Sequence, residues 1–160
     1  SVGLRAAKVL EEKFGTPYVI GTPIGSYTKQ IVKALNEKEK MPYLKDRMQK
    51  FQKAGSRKRV TLIGEPVIME SLAAGIEEKY NCHAEVLCPL EKTEGLLTAE
   101  DRWVCGEEEM EEALKNAEII VADPLYRPIC PKTSEFYELP HIAFSGRIYL
   151  RKLPVLGKLI

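Results

Sequence analysis

Two carboxylates in this chain stand in the same kind of place, just past a short apolar run and just before a proline. Glu65 follows Val60–Thr61–Leu62–Ile63–Gly64 and precedes Pro66, and Asp123 follows Ile119–Ile120–Val121–Ala122 and precedes Pro124. If the two runs are parallel strands, both acids emerge at the carboxyl edge of one sheet, where open α/β folds bind ligands. Tyr126 and Arg127 follow Asp123 toward that edge. Ser145 comes after the apolar stretch Leu139–Phe144, and Gly25, in the Gly21–Ser26 loop, would close over the edge from a neighbouring unit. A site built on Gly64, Glu65, Asp123 and Arg127, with Gly25 and Ser145 nearby, carries more negative than positive charge. It favours a cation or a neutral polar ligand over a phosphate. Each residue also has a plainer role: a glutamate at a helix start caps it, Asp-Pro opens a turn, and glycine loops are tight turns. His83 reads as a surface residue, and His141 as a half-buried, hydrogen-bonded ring rather than a ligand.

The chain has neither Gly-x-Gly-x-x-Gly nor Gly-x-x-x-x-Gly-Lys-Ser/Thr, so dinucleotide and P-loop phosphate binding have no candidate motif. Cys82, Cys88, Cys105 and Cys130 include no Cys-x-x-Cys pair, the compact spacing of zinc and cluster knuckles. They read as reduced, mostly buried side chains, with a redox or metal role for a pair, or disulfides, as the alternatives. Lys and Arg number 24 against 23 Asp and Glu, a formal net charge of +1. That balance gives no reason to expect a nucleic-acid or membrane partner. No apolar run approaches the ~20 residues of a membrane span. The first residues lack the charged-then-apolar order of a secretory signal, so a cytoplasmic location is expected.

The elements that must position these residues alternate between helix and strand. Gly3 to Phe14 has the period of an amphipathic helix ended by Gly15. Tyr18–Ile20 reads as a strand, and about Tyr27 to Glu37 as a helix with Ile31, Val32 and Leu35 inward. The charged stretch from Glu37 to Arg59, with Lys45, Arg47, Lys53, Arg57 and Lys58 among its cations, reads as the solvated side of a long connecting helix. Val60–Ile63 is apolar on both alternating faces and predicts a central strand. Pro66 suits the first position of a helix running to Tyr80. Ala84–Leu87, Trp103–Cys105, Ile119–Val121 and Leu139–Phe144 follow as strands, with a helix opened by Gly106 and the Glu107–Glu109 run and ending at Asn116. This order predicts an α/β, Rossmann-like fold: a mostly parallel sheet flanked by helices over 58–160, with a partial neighbouring α/β unit and connecting helix over 1–57.

The order of these signatures, from Lys13–Phe14–Gly15–Thr16–Pro17 through Arg59–Gly64 and Glu118–Asp123 to Phe144–Ser145–Gly146 and Leu153–Gly157, resembles the C-terminal part of a subunit of the nitrogenase component 1 family of oxidoreductases. The resemblance covers nearly the whole chain. It implies several Rossmann-like domains per subunit, pairing with a related nitrogenase-like subunit, and electron supply from an ATP-dependent iron-protein reductase. It also implies an iron–sulfur or metal–sulfur cluster in the full-length complex. The cysteines that hold the family's inter-subunit cluster belong to a more N-terminal part, so this stretch alone is expected to hold none. Two departures stand out. Gly64–Glu65–Pro66 lacks the arginine that dinitrogen-reducing members place after this strand, and His141 lies closer to Phe144–Ser145–Gly146 than their metal-binding histidine does. Dinitrogen reduction is therefore not expected. A cofactor-assembly scaffold or a Rossmann-like binding module without chemistry of its own is the alternative.

Overall fold

β-Branched and aliphatic residues dominate Arg59–Ile63, and the strand they form (β1) is exposed at Arg59 and buried from Val60 to Ile63. A chain buried on both faces has to lie inside a sheet. The computed structural model, which describes residues 3–51 and 59–158, places β1 at the centre of a five-stranded sheet. The other strands are β2 (His83–Cys88), β3 (Arg102–Trp103), β4 (Ile119–Ala122) and β5 (Glu135–Glu138). All pairings are parallel, in the order β3-β2-β1-β4-β5. The Rossmann-like α/β expectation holds.

Alternation along each strand divides the core in two. Val60 and Leu62 of β1, Ala84 and Val86 of β2, and Ile119 and Val121 of β4 pack on one face against the helix Pro66–Tyr80. Ile63, Leu87, Ile120 and Ala122 pack on the other against Met110 and Leu114 of the helix Glu107–Leu114. The remaining helices are α1 (Leu4–Phe14), α2 (Thr28–Glu37) and α3 (Pro42–Phe51), so these two are α4 and α5. Pro66 begins α4 as the sequence predicts. Gly15 ends α1 at φ 64°, a left-handed position that favours glycine, with its N–H on the Glu11 carbonyl.

The N-terminal part departs from expectation in several places. Tyr18–Ile20 forms no strand: Ile20 N–H donates to the Lys40 carbonyl, a contact to a turn rather than to a sheet. A 3-10 turn, Gly25–Tyr27, leads into α2, which buries Ile31 and Ala34 but leaves Val32 and Leu35 exposed. The charged stretch is not wholly a solvated face, because α3 packs on α4 and Arg47 is completely buried. Lys53, Arg57 and Lys58, and the 57/58 boundary, lie outside the described residues. At the other end, Leu139–Phe144 is not a strand. Pairing is carried by β5 just before it and ends where the Leu139 N–H donates to the Ala122 carbonyl. Pro140 has no N–H to continue the ladder.

Candidate functional site

A parallel sheet wound in this order has one place where adjacent strands send their connections to opposite faces. After β1 the chain rises into α4 on one face. After β4 it enters the 3-10 segment Pro124–Ile129, whose Tyr126 and Ile129 pack on the other. The crevice between them is where ligands of such folds bind. It holds a cleft of about 200 Å³ lined by Gly64 and Met69 from the β1–α4 junction, Asp123 and His141, and Leu153 and Leu156 from the C-terminal segment. Ile63, Ile68, Leu139, Pro140, Ile142, Phe144 and Pro154 complete a largely apolar lining.

Asp123 is 2% exposed and engaged at both oxygens. Oδ1 accepts from Leu125 N at 3.0 Å. Oδ2 accepts from His141 N at 2.8 Å, Ser145 Oγ at 2.6 Å and Ser145 N at 3.3 Å. Burial alone would raise its pKa, but these donors, led by the Ser145 hydroxyl, outweigh it and hold the carboxyl below its ordinary range. Asp123 thus ties the turn after β4 to residues 141–145, and it shapes the wall of the cleft. The nearness of Asp123, His141 and Ser145 does not make a nucleophile relay. The serine hydroxyl donates to the aspartate directly, and His141 Nδ1 accepts from Ala143 N at 3.1 Å, so in the neutral ring the proton sits on Nε2.

Glu65 caps α4: its Oε2 accepts from Ile68 N at 2.9 Å, and its carbonyl accepts from Met69 N. Pro66 removes one further N–H, and Gly64 N donates to the Leu87 carbonyl. The helix terminus that would cradle a phosphate in a nucleotide-binding relative of this topology is therefore covered by a carboxylate. Gly25 lies behind the far wall, where the turn Gly25–Tyr27 meets Leu156–Lys158. Ser145 serves the cleft through Asp123. Arg127 does not join them: its guanidinium stacks over the Phe136 ring at 5.1 Å, on the β5 side. The carboxylate lining the cleft, Asp123, is thus already engaged, and the surface offered to a ligand is largely hydrocarbon.

The apolar lining contributed by Ile142, Leu153, Pro154 and Leu156 escapes the sequence argument. Its signal there is a run from Leu139 to Ile160 with no acidic residue and many aliphatic ones. The four cysteines are spread over different environments. Cys82 packs against the α4-side core, Cys130 against the α5-side core, Cys88 is buried and Cys105 exposed. Among the described residues, no three His, Cys, Asp or Glu side chains are grouped to hold a metal. No helix of the described residues is long and apolar enough to cross a membrane. Compared with protein-family models, curated proteins and solved structures, the chain shows no match.

Proposed function

We propose that this chain is a Rossmann-like domain of a nitrogenase-like, component 1 type oxidoreductase, acting in metal-cluster-dependent electron transfer or reduction. Its own part is to bind rather than to react. The observation that carries this reading is the apolar cleft between β1 and β4, whose one buried carboxylate is spent on shaping the wall. Such a cleft receives an uncharged, apolar surface of a cofactor or partner subunit, and the reacting groups come from elsewhere in the assembly. The order of the sequence signatures supports the family. A related subunit and an ATP-dependent iron-protein reductase are the partners that go with it, in the cytoplasm. The engagement of Asp123 also favours a second reading, a cofactor-assembly scaffold that holds without transforming.

The test is anaerobic purification of the complete natural protein with iron analysis and a reductase-coupled reduction assay, alone and as Ile142→Glu. Ile142 lines the cleft yet is 72% exposed, so the variant keeps its fold while placing a charge against hydrocarbon. Bound iron, turnover, and a loss of roughly tenfold or more in the variant, equivalent to about 1.4 kcal/mol, are expected. Bound iron without turnover favours the scaffold. A colourless, iron-free complete protein overturns the redox reading.

A further inference from the structure

Away from the cleft, a set of charges is buried between α3, α4 and β2. Arg47 Nη1 donates to Glu70 Oε2 at 2.5 Å and to Asp101 Oδ2 at 2.7 Å. Nη2 donates to the Ala84 carbonyl at 2.6 Å and to Asp101 Oδ1 at 3.3 Å, and Nε lies 3.5 Å from Glu77 Oε1. Backbone donors complete the shell: Thr98 N to Glu70 Oε1 at 3.1 Å, Val86 N to Asp101 Oδ1 at 2.6 Å, and Ala84 N to Glu77 Oε1 at 3.1 Å. The Thr98 hydroxyl also donates to Asp101 Oδ2. The side chains of Arg47, Glu70 and Asp101 are fully shielded from water.

Three carboxylates therefore face one guanidinium. With both ionised, Glu70 and Asp101 would set two negative charges on the same Arg47 nitrogen in a dry site. A single proton held between those two carboxyls removes one of the two charges and turns their repulsion into a hydrogen bond. We propose that Glu70 and Asp101 bind one proton between them and that this proton fastens α3 to the sheet, so that α3 loosens as the pH rises.

The neighbourhood supports a proton resting on Glu70. Burial pushes Glu70 up to about 8 against the pull of Arg47. Burial acts the same way on Asp101, but Arg47 and its hydrogen bonds outweigh it and hold Asp101 below the ordinary range. Among the described residues, the other groups facing the pair are Arg47 and Tyr43 from α3, Glu77 from α4 and Thr98 from the loop before β3. Carboxylates hold Arg47 charged in spite of its burial, and the Tyr43 hydroxyl, raised by burial, donates to the Leu96 carbonyl. From β2 come backbone groups, while Glu85 pairs outward with Arg102 at 2.8 Å and His83 lies 3.6 Å from Glu100. A carboxyl raised in the folded state contributes stability that is full below its unfolded value of 4.5 and fades as pH climbs to about 8.

Two measurements on the whole chain test this. Infrared spectroscopy of the wild type should show the carbonyl stretch of a protonated carboxyl at neutral pH, lost near pH 8 and absent in Glu70→Gln. Amide exchange of α3, corrected for intrinsic rate, should report opening that increases by up to roughly tenfold per pH unit between 4.5 and about 8 and then levels off. In Glu70→Gln, which is neutral at every pH, that rise should vanish. A merely structural role would give both proteins the same pH dependence, and that result overturns the proposal. If Glu70→Gln fails to fold, the wild-type spectrum still decides, because no protonated carboxyl at neutral pH means no shared proton.

Discussion

Asp123 shows how one carboxylate can look like a ligand and serve as a fastener. Its Oδ2 collects two backbone N–H groups and one hydroxyl from residues 141 and 145, about twenty positions away in the chain. Asp123→Asn would set an amide N–H₂ against some of those donors, so a loss of about 1–3 kcal/mol is expected in urea unfolding, and Ser145→Ala should cost about 1 kcal/mol. The sign with pH follows from the lowered carboxyl. Its contribution is present above its unfolded value of 3.8 and disappears as pH falls through the lower folded value. Asp123→Asn should therefore flatten part of the acid limb of the stability curve. Loss of activity in the complete protein at unchanged stability would instead make Asp123 a binding group.

At the scale of elements, α4 and α3 are held by charge in opposite ways. The Glu65 carboxylate sits at the positive end of α4, beside Pro66, and acts in partly solvated surroundings. Glu65→Ala should cost about 0.5–2 kcal/mol, with the loss shrinking in high salt as the helix-end interaction is screened. Thermal unfolding at two salt concentrations measures this, and an unchanged midpoint would remove the capping role. At Arg47 on α3 the burial is complete. Arg47→Met would leave Glu70, Glu77 and Asp101 without their guanidinium, and a loss of about 3–5 kcal/mol is expected. Exchange of α3 amides should then approach that of an unpacked helix, while β1 and β4 keep their protection.

For the molecule as a whole, the sheet belongs to both cores at once. Leu62 and Ile120 are both 0% exposed but point to opposite faces. Leu62→Ala and Ile120→Ala should each cost about 2–5 kcal/mol. In each variant, both faces should lose their native signal in one transition, because β1 supplies Val60 and Leu62 to one core and Ile63 to the other. Two separated transitions by circular dichroism and by Trp103 fluorescence would show that the faces unfold independently. The apolar cleft belongs to this scale too, since its walls come from the end of β1, the first turn of α4, Asp123 just after β4 and residues between 139 and 156.

Local chemistry was enough to read the centre of this protein. A doubly apolar run ending in Gly-Glu-Pro dictates a buried strand turning into a capped helix, because propensity, alternation and the missing proline N–H all agree within twenty residues. The parallel sheet and its carboxyl edge follow from repeats of that unit. Other features depend on partners far away in the chain. Arg47 lies in a stretch rich in lysine and arginine and reads as solvated, yet Glu70, Asp101 and Ala84 surround it. The strand Glu135–Glu138 lacks an apolar run because it sits at the sheet edge, where only part of one face is covered. Whether Asp123 faces a ligand or two backbone amides, and whether the cleft is acidic or hydrocarbon, was decided by where residues 141–156 fold back. Those contacts are long-range, and each carboxylate is equally suited to either role until the partners arrive.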